Sequence, residues 1–199
     1  MDTLLLREFL RNPTGIAAVT PSSTAIATLL SMVIPERGEP VVVELGAGTG
    51  ACTSVIQHRL SGRGHHIAVE VNPTFAKLLR KRYQHVQVVC GEAQNLPTFL
   101  VDRGIPTADV IISTLPWAPF APSATTRPLL ATLVESLSDG GAYTQVAYSW
   151  TRWAPPARRQ VRQLQASFEE VMISETIWRN IPPARAYIAR RPRNNREAG

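Results

Sequence analysis

Glu44-Leu45-Gly46-Ala47-Gly48-Thr49-Gly50 is the segment of this 199-residue chain best suited to hold a ligand. Its glycines let the backbone approach a bound group closely, and the helical pattern over 51–60 would set a helix N-terminus beside it. The pattern reads E-x-G-x-G-x-G. A carboxylate ahead of the glycines repels a pyrophosphate and suits a ligand that carries an amine and a sulfonium. Glu70 follows Gly50 by 20 residues, a position where an acidic side chain typically takes a ribose diol. Gly91-Glu92-Ala93 closes a third apolar run, well placed for an adenine edge. Alone, Glu70 also suits a helix cap and Glu92 a solvated turn. Together the three run ends offer contacts to a methionine moiety, a ribose and an adenine in order. The candidate ligand-binding residues are Glu44, Gly46, Ala47, Gly48, Thr49, Gly50, Glu70, Val71, Glu92 and Ala93.

The elements that must position these residues follow from the apolar periodicity. Residues 4–10 predict a short helix, broken by Asn12-Pro13-Thr14-Gly15. Ser22 or Ser23 caps a second helix running to about residue 34. Strands are expected at 41–45, 66–70, 86–90, 108–113 and 142–148. Helices are expected at 51–60, 73–83, 124–137 and 155–165, the second with Pro at its first turn. Strands 168–178 and 184–190 have too short a link for a crossover and must form an antiparallel hairpin. The expected fold is α/β: a seven-stranded, doubly wound, mostly parallel sheet with the last strand antiparallel and an N-terminal helical extension. The expected organisation is an extension or lid at 1–35, the domain at 36–191, and a basic tail at 192–199.

Composition excludes several classes. Hydrophobic residues are 44% and charged residues 18% of the chain, a globular balance. No apolar run approaches the ~20 residues of a membrane span, and the N-terminus lacks the basic region of a secretory signal. Two cysteines exclude a disulfide framework and fit a reducing, cytoplasmic setting. Cys52 and Cys90 read as small buried packing residues, and His58, His65, His66 and His85 as surface residues with no metal-ligand spacing. The net charge is +6, and residues 151–199 hold 10 Arg against 4 acidic side chains, so the excess lies in the last quarter. Such a basic end suits either phosphate contact or a solvated tail.

The three strand-end contacts resemble the layout of a class I S-adenosylmethionine (SAM) methyltransferase, which implies a Rossmann-like methyltransferase fold and SAM as cofactor. The fourth strand ends Ile112-Ser113-Thr114-Leu115-Pro116-Trp117. Adenine and amide N-methyltransferases carry Asn or Asp, then Pro-Pro or Leu-Pro, then an aromatic residue at this point. Here Ser113 replaces the Asn or Asp and Thr114 is inserted, so the amide that would accept a nucleobase amine is missing.

Phe9-Leu10-Arg11-Asn12-Pro13, Ala18-Val19-Thr20-Pro21-Ser22-Ser23 and Val43 to Gly50 resemble the soluble bacterial phospholipid N-methyltransferases, themselves similar to rRNA adenine dimethylases. Ser113 before Leu115-Pro116, Gln145, Tyr148 and Ile181-Pro182-Pro183-Ala184 fit the same pattern. The resemblance implies methylation of a phosphatidylethanolamine-type amine. It adds Ser22, Ser23 and Ser113 to the cofactor contacts, makes Tyr148 and Ser113 the catalytic candidates, and sets Leu115, Pro116, Trp117 and Tyr148 about the acceptor. It also implies an N-terminal helix that docks on membrane and covers the SAM site.

The expected partners are a lipid or small-molecule methyl acceptor and an anionic membrane surface. The Leu4–Leu10 face with Arg7 and Arg11 suits a headgroup layer or packing on the sheet equally. Arg152, Arg158, Arg159 and Arg162 suit anionic headgroups or an exposed helix face. Trp117, Trp150 and Trp153 suit a methylated ammonium or a flat aromatic substrate. A small-molecule methyltransferase is the alternative. A second is an rRNA adenine methyltransferase-like enzyme, although nucleic acid is not the expected partner in a chain without a separate RNA-binding domain.

Overall fold

The computed structural model describes residues 24–115, 128–149 and 155–193. The expected helix at 4–10, Ser22, Ser23, Pro116, Trp117, Trp150, Arg152, Trp153 and the tail from 194 lie outside these residues.

Seven strands form one sheet: β1 (Val41–Leu45), β2 (His65–Glu70), β3 (Gln87–Cys90), β4 (Ala108–Ser113), β5 (Leu137–Tyr148), β6 (Phe168–Ile173) and β7 (Ala184–Pro192). Their order is β3-β2-β1-β4-β5-β7-β6. β7 alone is antiparallel to its neighbours β5 and β6, as the short 174–183 link requires. The helices are α1 (Thr24–Ser31), α2 (Ala51–Leu60), α3 (Pro73–Arg82), α4 (Leu96–Val101), α5 (Leu129–Glu135) and α6 (Pro155–Ser167).

Both faces of the sheet are covered, which is why β1 reads as the unbroken apolar run Val41-Val42-Val43 rather than alternating. One face packs Val43, Leu45, Ile111 and Tyr143 against Leu96, Leu133 and Leu164 of α4, α5 and α6. The other packs Val42, Ile112 and Val146 against Ile26 and Leu30 of α1 and Ile56 of α2. α3 seats Leu79 on Ala68. α1 is thus part of the core, its Ile26, Ala27 and Leu30 fully buried. The start of α3 is fixed by Asn72, whose side chain accepts from the Thr74 and Phe75 amides ahead of Pro73.

Several boundaries differ from expectation. The first hairpin strand ends at Ile173, not 178; beyond it, among the described residues, an isolated bridge joins Ile177 to Ala184. The helix expected to 137 stops at Glu135, and β5 begins at Leu137. Asp139-Gly140-Gly141 therefore lies inside the strand, where the pairing shifts from Ala108–Leu137 to Val110–Ala142 through a bulge. A 3₁₀ turn at Ala93–Asn95 and α4, unexpected from the sequence, connect β3 to β4.

Candidate active site

The glycine loop leaves β1 at the carboxyl edge of the sheet. Gly46, Gly48 and Gly50 all have positive φ, at 77°, 55° and 93°, a region that side-chain-bearing residues avoid. The Gly46 amide bonds the Val69 carbonyl at 2.9 Å, and the Gly48 amide donates to Glu70 Oε2 at 2.7 Å. Asn72 N donates to Glu70 Oε1 at 2.8 Å. The buried Glu70 carboxylate therefore ties the β1 and β2 ends together. Burial raises its pKa above the usual glutamate range, partly opposed by the Asn72 and Gly48 amides.

Glu44 is fully buried on the α1–α2 side. Its Oε2 accepts from Thr53 Oγ1 at 2.7 Å and meets His66 Nε2 at 3.2 Å. The other His66 nitrogen lies 2.9 Å from Gln57 Nε2; with the Gln57 amide donating there, Nε2–H faces Glu44. Oε1 of Glu44 is buried with no hydrogen-bond partner among the described residues. His66 is thus not a surface residue. Strand alternation sends His65 and His66 to opposite faces, yet both faces of a parallel sheet are covered, so only His65 at the strand start is exposed. Cys52 is buried as expected, its thiol pKa pushed up by burial and by the Glu44 charge. Cys90 is exposed instead, at the end of the edge strand β3.

Ala47 and Thr49 are buried within the loop. Val71, next to Glu70, is 64% exposed. Glu92 is exposed and Ala93 buried at the start of the 3₁₀ turn. The structure thus brings Glu44, the glycine loop, Glu70, Val71, Glu92 and Ala93 to the ends of three adjacent strands.

The fourth-strand end is locked to the glycine loop. Thr114 Oγ1 donates to the Gly46 carbonyl at 2.6 Å, and Thr114 N to the Leu45 carbonyl at 3.0 Å. Leu115 sits so close that a Cβ on Gly46 would lie 2.9 Å from its Cδ2. Thr114, treated in the sequence as an insertion, is the staple between the glycine loop and the β4 end.

Ser113 and Tyr148 occupy different surroundings. Ser113 is fully buried; its hydroxyl bonds the Tyr143 phenol and accepts from Leu115 N at 3.4 Å. Tyr143 OH donates to Gln145 Oε1 at 3.1 Å, which also accepts from Gln160 Nε2 at 2.7 Å. Ser113 thus starts a buried chain that runs from β4 to α6. Tyr148 packs on the opposite cluster, with Val146. It also lines a cavity of about 480 Å³ between the β5 end and α6, and burial raises its phenol pKa.

Sequence reasoning missed Thr53, Gln57 and His66, although Thr53 and Gln57 lie four residues apart on one face of α2. No group of three or more acidic, His or Cys side chains among the described residues is arranged to hold a metal ion. No described helix is long and apolar enough to cross a membrane.

Comparison with known proteins defines the class. The family model described as a methyltransferase domain matches residues 42–141. A SAM-dependent O-methyltransferase from Thermotoga maritima superposes with a TM-score of 0.66 at 15% identity, covering 94% of this chain and 72% of that one. The N-methyltransferase NodS from Bradyrhizobium japonicum gives 0.62 at 14% identity, covering 84% and 95%. The chain belongs to the class I SAM-dependent methyltransferases. Among characterised relatives it is 35% identical over 190 residues to the ornithine lipid N-methyltransferase of Singulisphaera acidiphila, covering 94% of each chain. The protein is therefore an enzyme, and its cofactor is SAM. The residues present fit that group. Among the described residues Glu44 offers a buried carboxylate oxygen without a partner, and a Cβ on Gly48 would meet nothing closer than the Gly46 carbonyl at 3.9 Å, so none of them fills the cradle above the loop.

Proposed function

We propose that the enzyme methylates the amine nitrogen of a lipid headgroup of the ornithine-lipid or phosphatidylethanolamine type, at a membrane surface. The observation that carries this reading is the 35% identity, spread over 94% of both chains, to an enzyme named for N-methylation of ornithine lipid.

SAM supplies an electrophilic methyl group carried on a sulfonium. In our reading Glu44 and the Gly46–Gly50 loop hold the methionine end, Glu70 accepts from the ribose hydroxyls, and Val71, Glu92 and Ala93 face the adenine. Ser22 and Ser23 are further candidates from the sequence. Leu115, with Pro116 and Trp117 directly after it, belongs to the acceptor side. Ser113 is a positioning residue, since it is buried and acts through Tyr143 and the Leu115 amide.

The acceptor nitrogen must arrive neutral, because an ammonium has no lone pair. Ser113, Thr114 and Leu115 include no base. Desolvation lowers an amine's pKa and so does the work a base would do. Tyr148 keeps its proton at neutral pH, since burial raises its pKa; its oxygen accepts an amine N–H and orients the lone pair.

The test is methyl transfer from labelled SAM to ornithine lipid, to phosphatidylethanolamine and to a panel of small amines and phenols. Incorporation into lipid amines is expected. Incorporation into small aromatic acceptors alone would overturn the substrate class and leave the methyltransferase assignment standing.

A further inference from the structure

We propose that the cavity between the carboxyl end of β5, β7 and α6 is an anion subsite that holds the carboxylate or phosphate of the zwitterionic headgroup whose amine is methylated. This inference rests on the lipid-amine reading above.

The cavity, about 480 Å³, is lined by Arg158 and Arg162 from α6 and Arg185 from β7, with Tyr187 and Val161 on its wall. Among the described residues no Asp or Glu lines it. Among the described residues none of the three guanidinium groups forms an ion pair. Arg191, by contrast, is matched by Glu169 and Glu170 on the β6–β7 pair. Three cations of one sign around a concave surface raise the local potential and favour an anion. The fork of a guanidinium fits a carboxylate or phosphate with two parallel hydrogen bonds.

The arginines are carried on fixed supports. Arg158 and Arg162 are four residues apart and share a face of α6. That helix is pinned by Gln160, which donates to Gln145, and by fully buried Leu164. Arg185 Nε donates to Thr176 Oγ1 at 2.8 Å, which aims the guanidinium. Its charge is felt by the Tyr187 phenol, whose burial-raised pKa it pulls down. Arg158 and Arg162 are exposed, so the guanidinium held in place is that of Arg185, and that preorganisation separates a binding site from a merely basic surface.

Position favours the headgroup. β5 lies beside β4 in the sheet, roughly 5 Å away, and the β4 end is stapled to the cofactor loop through Thr114 and Gly46. The amine and the anion of a zwitterionic headgroup are a few single bonds apart. An anion held at β5 and β7 thus leaves the amine within reach of the β4 end, and Tyr148 lines the same cavity.

The experiment uses the full chain in micelles of a neutral detergent, where no charged surface contributes. Three amphiphiles serve as acceptors: an N-acyl-ornithine (amine and carboxylate), its decarboxylated analogue N-acyl-diaminobutane (amine alone), and dihexanoyl phosphatidylethanolamine (amine and phosphate). The wild type is expected to prefer at least one anionic acceptor over N-acyl-diaminobutane by about tenfold or more in kcat/KM. Arg162→Gln and Arg185→Gln should each remove about tenfold of that preference through KM, the scale of one charge-assisted hydrogen bond. Lys at either position should restore part of it, keeping the charge without the fork. Which acceptor loses more identifies the anion as carboxylate or phosphate. Equal wild-type rates on N-acyl-ornithine and N-acyl-diaminobutane, with phosphatidylethanolamine no better, would overturn the subsite. So would a preference that survives both Gln variants. If the wild type methylates none of the three, the lipid reading fails. Calorimetric titration with N-acyl-ornithine then decides the subsite: binding lost in Arg185→Gln supports it, and binding absent or unchanged overturns it.

Discussion

The Gly48 amide and the Glu70 carboxylate are joined by a 2.7 Å hydrogen bond across the ends of β1 and β2. The carboxylate we propose for the ribose thus also sets the shape of the glycine loop, so loss of Glu70 should disturb both. Glu70→Ala is expected to weaken SAM binding by more than the tenfold that one charged hydrogen bond represents. Calorimetry with SAM and a thermal melt of the free protein would measure the two losses.

The same group gives SAM affinity a pH dependence. Diol hydroxyls donate best to an ionised carboxylate, and the Glu70 pKa is raised above its ordinary value by burial. Affinity is therefore expected to fall on acidification at a pH above the usual glutamate range, about 4.3. Folding runs the other way. A carboxyl whose folded-state pKa is raised contributes stability that is fully present below its unfolded pKa and lost as pH rises through the folded value. Affinity measured across the acid limb should lose this step in Glu70→Gln.

Two glycines of one loop should respond differently to substitution. Among the described residues a Cβ on Gly48 meets nothing closer than 3.9 Å, whereas a Cβ on Gly50 would lie 2.7 Å from the Tyr83 ring, whose hydroxyl donates to the Gly50 carbonyl. Gly48→Val should abolish SAM binding and lower stability by only the ~1–2 kcal/mol of left-handed strain. Gly50→Ala should add about 1–3 kcal/mol of overpacking to the same strain. Melting curves beside SAM titrations separate the two, and undiminished SAM binding by Gly48→Val would remove the loop from the cofactor site.

Thr114→Val keeps the shape of the side chain and deletes the bond to the Gly46 carbonyl. A net hydrogen bond of about 1 kcal/mol converts to roughly a fivefold loss of SAM affinity. A fluorescence or calorimetric titration would show it, with no change expected for the Ser54 alcohol, which only caps its own helix turn at the Ala51 carbonyl.

Tyr148→Phe should lower turnover while SAM affinity holds, because in the site we propose the hydroxyl acts on the acceptor nitrogen in the transition state. Single-turnover rates against SAM binding constants would test it. A change in SAM affinity at constant turnover would move Tyr148 out of the acceptor site.

The fold was legible where a single physical rule governed a segment. Apolar run lengths, the glycine loop and the short link before β7 led to a sheet of seven strands with one antiparallel strand, as found. It was hidden where rules competed. Asp139-Gly140-Gly141 carries turn chemistry, yet pairing with β4 draws it into a bulged strand. α4 has only six residues and opens on Leu96-Pro97, too short for a period to show. His66 looked polar and exposed, and its burial became visible only with a Gln57 and a Glu44 on either side of its ring. The place of the glycine loop at the β1 end came from the sequence. The staple by Thr114 did not, since it joins positions 68 residues apart.

The placement of β7 between β5 and β6 has a consequence for the order in which the chain is made. Of the described strands β7 comes last in the chain, yet it occupies an interior position in the sheet. β1, β2, β3 and β4 can pair while the chain is still emerging from the ribosome. The β5–β6 side has a gap one strand wide until residues 184–192 arrive. The nascent protein thus builds the glycine-loop half first, and the wall that carries Arg185 and Tyr187 last. A chain stopped before residue 184 lacks β7 and leaves β5 and β6 with unpaired edges.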